Sequence, residues 1–482
     1  MEILINHCPV RWQAIHNSQA IAIDIEQRQI TYHQLDNLLV NLQARLIVHI
    51  NKKEEKLAIN SASIRLVCIA SNSLELLLLQ LLCIRLGWLF CPLNPRFTDA
   101  EIAQRLAILN SDYCWVADDS IHLHFKTVNI DFSLLEKETI EDNELTDITI
   151  NSEQPCNIIF TSGSSGFPKA IIHHYENHFF SALGSQTLIP LNQYDHNLLS
   201  LPLFHIGGYA TVIRTMIAGA CIHLTSSNLN VLMLQKRKIT HLSLVSTQLI
   251  RLLNDPLFKA KECAIKHILL GGSTFSDSLL TSLANRGFYY HLSYGCTEMA
   301  SQVATSNNSS NLQILPYREV KIRNNEIYLR GKTRLYGYFQ NNHIIVIDPK
   351  EWIRIGDTGK LDNNYLHVLG RKDRQFISGG ENIQPEEIER ICLQYRSVEK
   401  VYVYPIKDQQ YGQRIAIFIE FVENKRTHFE QQVQMLKEYL TTQLTRFKQP
   451  DVYLAWPEIT NQQNLKVPKA AFMAQLKQQK LI

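Results

Sequence analysis

The stretch Ile158–Ala170, IIFTSGSSGFPKA, constrains this chain more than any other. Ile158, Ile159 and Phe160 read as the end of a buried strand. Hydroxyls and glycines then alternate through Thr161, Ser162, Gly163, Ser164, Ser165 and Gly166, and Pro168-Lys169 closes the loop. Glycine lets a backbone come close to an anion with its N–H groups pointing inward. The hydroxyls add donors, and Lys169 brings a mobile positive charge to phosphate oxygens. The segment therefore reads as a phosphate-cradling loop. It is not a Walker A loop, because Pro168 precedes the lysine and Ala170 follows it. Serine and glycine more often mean a plain surface loop, but a linker has no need of this ordered succession.

A phosphate loop at a strand end needs an α/β frame, and the sequence before it supplies one. Ile64–Ala70 is an apolar strand, Ser71, Asn72 and Ser73 offer caps for a helix from Leu74, and Gly87 stops it. Trp88–Leu93 is the next strand, ending at Pro92 and Pro95. Strand, helix and strand at this spacing form a βαβ unit and hence a parallel sheet. Leu74–Phe90 is the most apolar run, but it is short for a membrane span and Glu75, Gln80 and Arg85 interrupt it, so a buried helix is expected. With 482 residues, at least two domains are expected. A net charge of +3 gives no polyelectrolyte surface for nucleic acid. The mixed-sign run Lys52–Lys56 reads as a solvated loop or helix face. The ten cysteines include no CxxC pair and no Cys/His spacing typical of zinc. They read as reduced thiols of a cytoplasmic protein, and the amino terminus carries no signal-peptide pattern.

Further along, three segments carry chemistry. Gly271-Gly272-Ser273 follows the apolar strand His267–Leu270, where glycines leave room for a flat ligand. In Ser293-Tyr294-Gly295-Cys296-Thr297-Glu298, Tyr294 can stack on a purine, Thr297 can donate to a phosphate and Glu298 can hold Mg2+. A tight turn with capping Thr and Glu is the plainer reading. Arg214 lies in the apolar run VIRTMIAGA, where it either meets an anion or sits on the wet face of an amphipathic helix; both readings stand.

TSGSSGFPKA, with the Tyr294–Glu298 segment, Ile355-Gly356-Asp357-Thr358-Gly359, Gly370-Arg371-Lys372-Asp373 and GGENIQPEEIE from Gly379, resembles the motif set of the acyl-adenylate-forming superfamily. That superfamily includes acyl-CoA synthetases, aryl-CoA ligases, adenylation domains and firefly-type luciferases. The resemblance implies an α/β architecture: a large N-terminal region, 1–370, of layered subdomains with parallel-containing sheets, and a small mobile α+β domain, 371–482, hinged at Asp373. It implies ATP and Mg2+ as reactants, a carboxylate converted to an acyl-adenylate, and transfer of the acyl group to coenzyme A. Asp357 would accept the ribose hydroxyls, Arg371 would contact the nucleotide side, Gly271 and Gly272 would border the adenine, and His205 of Pro202-Leu203-Phe204-His205 would line the acyl pocket. Near the carboxyl end, Lys466 is aligned with the lysine that bridges carboxylate and α-phosphate, although Leu465 stands where glycine is usual; Lys469 is its alternate. Among branches of the superfamily, the Phe-His-Ile-Gly-Gly segment and Arg214 nine residues after His205 are most similar to enzymes that activate ortho-succinylbenzoate in menaquinone or phylloquinone biosynthesis. Arg214 would then hold that acid's second carboxylate. Another aryl- or acyl-CoA ligase, a carrier-loading adenylating enzyme and a non-catalytic nucleotide-binding relative remain alternatives, and a homo-oligomer stays open.

Overall fold

Where the sequence places a cap, a helix and a stop, the chain folds that way. Ser73 accepts a hydrogen bond from the Leu76 N–H at 3.2 Å and opens the helix Leu74–Leu86, and Gly87 closes it at φ +67°. Cβ-bearing residues disfavour that left-handed conformation, which suits glycine at the end of a helix. The helix joins the parallel strands Arg65–Ile69 and Leu89–Leu93, completing the βαβ unit. Pro92 lies inside the second strand rather than ending it. The ladder to the neighbouring strand Pro155–Ser162 consists of the single pair Phe90 and Asn157, so the missing N–H of Pro92 breaks no pairing on that side. The computed structural model describes residues 2–26, 28–54, 64–111, 113–117, 127–128, 130–135, 145–162, 168–225, 229–272, 275–378, 381–408, 411–422, 429–457, 469–479 and 481. Among these, no helix is long and apolar enough to cross a membrane.

Two large sheets build the N-terminal region, giving the layered α/β architecture. In the 13-stranded sheet, Ile21–Ile25, Cys221–Leu224, His196–Leu198, His241–Leu244, His267–Gly271 and Tyr290–Cys296 lie side by side and parallel. Beyond Tyr290–Cys296 the ladder turns antiparallel through Ser301–Thr305, Leu312–Ile314, Tyr365–Arg371, Ile353–Asp362 and Glu326–Gly331 to the edge strand Arg318–Arg323. The 7-stranded sheet carries the βαβ unit and the antiparallel pair Pro155–Ser162/Pro168–His174, which flank the glycine-rich segment in sequence. Pro168 and Lys169 therefore begin a strand, with Ser162 opposite Pro168. Helices Leu74–Leu86, Tyr175–Gln186 and Ile206–Ala218 fill the space between the sheets, and their apolar side chains merge into one core.

The carboxyl-terminal part has its own centre. Strands Val398–Asp408, Gly412–Phe421 and Val452–Ala455 form a three-stranded sheet with helices Pro385–Gln394, Phe429–Gln443 and Lys469–Gln478, an α+β arrangement. Its two apolar clusters draw only on residues from Phe376 onward. Pro385 occupies the first turn of its helix, and Ile388 and Cys392 are buried, with Ile391 and Tyr395 packed against the same cluster. Glu386 and Glu387 do more than face the helix dipole: Glu386 pairs with Arg374 at 3.1 Å and Glu387 with Lys448 at 2.8 Å.

Candidate active site

In an open parallel sheet, ligands sit beyond the carboxyl ends of the strands, and Gly271, Gly272, Tyr294 and Glu298 lie at or just past two such ends. Gly271 ends its strand opposite Ser293, and Gly272 turns away at φ +77°. Tyr294 follows on the next strand, and the chain then forms a short 3-10 turn over Thr297–Met299. Gly295 has no room for a side chain, since a Cβ there would meet the Ser301 carbonyl oxygen at 1.9 Å. Ala300 and Ser301, at φ +49° and +99°, hold backbone conformations that L-residues seldom adopt. Such strain persists only where surrounding contacts impose it.

Ser181 Oγ donates to the Ala300 carbonyl at 2.7 Å, and a buried relay reaches the same turn at Thr297. His178 Nε2 donates to Asn157 Oδ1 at 2.9 Å, Asn157 Nδ2 donates to His173 Nδ1 at 3.4 Å, and His173 Nε2 donates to the Thr297 carbonyl at 2.7 Å. Burial lowers His173 to about 4 and His178 well below its ordinary value, so both rings stay neutral near pH 7. Sequence reasoning missed these residues. The one trace is a polar set, Asn157 and His173, inside otherwise apolar strands.

Asp357 is the centre of a second group. It lies opposite Arg371 in the antiparallel ladder, and Tyr294 Oη donates to its carboxylate at 2.7 Å while Arg371 Nη1 donates at 3.1 Å. Arg371 also reaches the Ile355 carbonyl at 2.8 Å and grips Asp373 with two bonds of 3.0 and 3.2 Å. The ion pair raises the arginine, chiefly through Asp373, yet the Asp357 carboxyl is raised rather than lowered. Burial explains the asymmetry: Asp357 is only 9% exposed, and its lost solvation outweighs the help from Tyr294 and Arg371. Glu298 is likewise raised by burial, against the pull of Lys169 and with Asp357 repelling it. Glu298, Lys169, Asp357 and Arg371 thus share one neighbourhood. Among the described residues, Glu298 has no ion-pair partner within 4 Å, leaving an oxygen donor of the kind a hard divalent cation takes.

The residues expected on the acyl side, His205 and Arg214, belong to the helix Ile206–Ala218 and its start. His205 stands at the start of the helix Ile206–Ala218 with Phe204 edge-on to its ring, at 4.8 Å between centroids. Gly208 lets that helix start press against the chain, since a Cβ would meet the Pro202 carbonyl oxygen at 2.2 Å. Arg214 points inward rather than to solvent. Its Nη2 donates to Thr211 Oγ1 at 2.7 Å and to Ser243 Oγ at 3.2 Å, and burial lowers the guanidinium to about 10. No carboxylate of the described residues lies within ion-pair distance of it. Ser243 is two strands from the Tyr294 strand, roughly 10 Å at the usual strand spacing. Gly163, Ser164, Ser165, Gly166, Ser273, Leu465 and Lys466 lie outside the described residues, as do the side chains of Ser162 and Lys469. Thr161 is the penultimate residue of the strand Pro155–Ser162, paired with Lys169.

Fold and site together define an enzyme that binds a nucleotide at the carboxyl edge of a parallel sheet, and comparison gives that class its name. The chain belongs to the AMP-binding enzyme family, whose profile matches residues 10–338. It is 33% identical over 413 residues to the 2-succinylbenzoate–CoA ligase of Haemophilus influenzae, covering 84% of this chain and 85% of that one. Among solved structures, it resembles the o-succinylbenzoate CoA synthetase of Bacillus subtilis in complex with the acyl-adenylate intermediate OSB-AMP, with TM-score 0.80, 25% identity and 97% and 96% of the two chains covered. The same Bacillus subtilis enzyme in complex with ATP and magnesium ion matches with TM-score 0.79, 25% identity and 93% and 95% coverage.

Proposed function

We propose that this chain is an AMP-forming acid–thiol ligase that joins ortho-succinylbenzoate to coenzyme A, with ATP consumed and AMP and pyrophosphate released. The observation that carries the substrate is Arg214: a half-buried, desolvated guanidinium with two hydroxyl partners and, among the described residues, no carboxylate to neutralise it. Ortho-succinylbenzoate has two carboxylates. One must be free to react, and the other is the counter-ion this arginine lacks. The relatives named for that substrate, alike over most of their length, support the same reading.

Adenylation brings a carboxylate up to the α-phosphate, so two anions must approach. Lys169, the N–H groups of the glycine-rich loop and Lys466 would offset that repulsion where charge concentrates. Mg2+ held at Glu298 would supply a further positive charge on the phosphate oxygens. Asp357, held in place by Tyr294 and Arg371, would take the ribose hydroxyls, a task for a two-oxygen acceptor. Gly271 and Gly272 would border the base. The domain boundary falls near residue 370, with Asp373 as the hinge. Support comes from the carboxyl-terminal cores, which use only residues from Phe376 onward, and from the grip of Arg371 on Asp373 at their border. Turning the small domain about that point would open a route for coenzyme A. Ten cysteines without a disulfide suit a reducing cytoplasm and quinone biosynthesis there.

The test is carboxylate-dependent ATP–pyrophosphate exchange over a panel of ortho-succinylbenzoate, benzoates and fatty acids, followed by thioester detection with coenzyme A. Selective exchange with ortho-succinylbenzoate and its thioester as product is expected. Equal exchange with simple benzoates would remove the substrate assignment, and nucleotide binding without any exchange would remove the ligase reading.

A further inference from the structure

At the other end of the same sheet, three neighbouring parallel strands present a second group of side chains that the ligase chemistry does not use. Register fixes their common face. Cys221 and His223 are two apart on one strand and so point the same way. His196 on the strand to one side is opposite Cys221, and Asp24 on the strand to the other side is opposite His223. The alternate positions Ile23, Ile222 and Asn197 face the other way, where Asn197 donates to Thr215 of the helix Ile206–Ala218 at 3.0 Å. One ring nitrogen from each histidine and Cys221 Sγ all lie within 4.8 Å of one another. We propose that His196, Cys221 and His223 form a binding site for a borderline-soft divalent transition metal such as Zn2+.

Three details favour it. The donor set, two imidazoles and a thiol, is the kind Zn2+ selects. His196 Nδ1 and His223 Nε2 already face each other at 2.8 Å across a single hydrogen. Two nitrogens on a tetrahedral ion at about 2.0–2.1 Å stand roughly 3.3 Å apart, so the rings need to part by only about half an ångström. The remaining nitrogen of His223, Nδ1, is buried without a hydrogen-bond partner and lies 3.8 Å from Asp24 Oδ1. A carboxylate behind a ligating histidine is the arrangement that holds its tautomer in metal sites. Asp24 is itself fixed by Arg237 and by Gln29. Cys221 and His223 are buried, while His196 is half-buried at the rim and leaves a path and a fourth position for water. On binding, the Cys221 thiol releases one proton. His196 moves its hydrogen from Nδ1 to Nε2, so neither ring changes charge. The Cys-x-His spacing escaped the sequence because the third ligand comes from a different strand.

Full-length protein stripped with chelator and titrated with Co2+ tests this. Expected is saturation at one equivalent with thiolate-to-cobalt charge-transfer absorption, reversed by Zn2+ and absent in Cys221→Ser. Asp24→Asn should weaken binding by roughly 10–100-fold, and ATP–pyrophosphate exchange of the metal-free Cys221→Ser variant should match wild type. No charge-transfer band, or a band that survives in Cys221→Ser, overturns the proposal. Should Cys221→Ser fail to fold, His196→Gln decides at the rim: loss of tight one-equivalent binding supports the site, and unchanged binding refutes it.

Discussion

Arg214 offers the sharpest perturbation because its energetics differ between the free and the substrate-bound protein. In the free protein its guanidinium is desolvated and meets only Thr211 and Ser243. Burial holds it near 10, below its ordinary value. For a cation lowered in this way, the charged form opposes folding; the penalty is present in full below about 10 and fades as pH rises toward the ordinary value. Replacing a desolvated cation that has no carboxylate partner among the described residues by an apolar residue of similar length removes that penalty. Arg214→Met should therefore leave the melting temperature of the free protein unchanged or raised. With substrate bound, the balance reverses. A charge-assisted contact contributes roughly 1.5–3 kcal/mol, which corresponds to about 10- to 150-fold in kcat/KM for ortho-succinylbenzoate. Benzoate, with no second carboxylate, should react as before. Steady-state pyrophosphate release with both acids, beside thermal melts, reads all three effects. Similar losses for the two acids, or a collapse of the free protein, would refute the reasoning.

Asp357→Asn keeps the shape but removes the charge facing Arg371, and should raise KM for ATP by roughly 10–100-fold while leaving KM for the carboxylate near wild type; initial rates at varied ATP check it. Burial raises the Glu298 carboxyl, so it takes up its proton at a higher pH than an ordinary glutamate. The Mg2+ concentration needed for half-maximal exchange should therefore climb as pH falls, and sooner than an ordinary glutamate would allow; a profile no different from an unburied carboxylate would exclude Glu298 as the holder. Lys466→Ala should lower exchange by about 10²–10³-fold while sparing thiolysis of preformed adenylate; equal loss in both half-reactions would reassign the lysine. Asp373→Pro, placed where Arg371 grips the border of the small domain, should slow thioester formation more than exchange, measured by single-turnover assays of each step.

How far the sequence reaches can be judged residue by residue. Ser73, Leu74 and Gly87 announced a helix because caps and left-handed stops are local requirements, and the helix runs between them. Pro385 and its apolar spacing did the same in the small domain. Tyr294 and Asp357 were legible as separate motifs. Their hydrogen bond was not, since it joins strands that neighbour each other only through the antiparallel half of the sheet. Arg214 was balanced between solvent and pocket, because helical spacing says which face a residue takes and not what covers it; Ser243, from another strand, decides. Pro92 looked like a strand end because the sequence hides how short its ladder to Pro155–Ser162 is. The relay from His178 to Thr297 left almost no trace, being assembled from a helix, two strands and a turn.

The central claim is that one edge of the sheet holds the nucleotide at Asp357 and the second carboxylate of the acyl group at Arg214. A crystal structure of this protein with a non-hydrolysable ortho-succinylbenzoyl-adenylate analogue tests it most directly. The account predicts the ribose hydroxyls on the Asp357 carboxylate and the free carboxylate within about 3 Å of the Arg214 guanidinium. A ligand that binds with its free carboxylate in solvent, and with Arg214 still bonded only to Thr211 and Ser243, would contradict it.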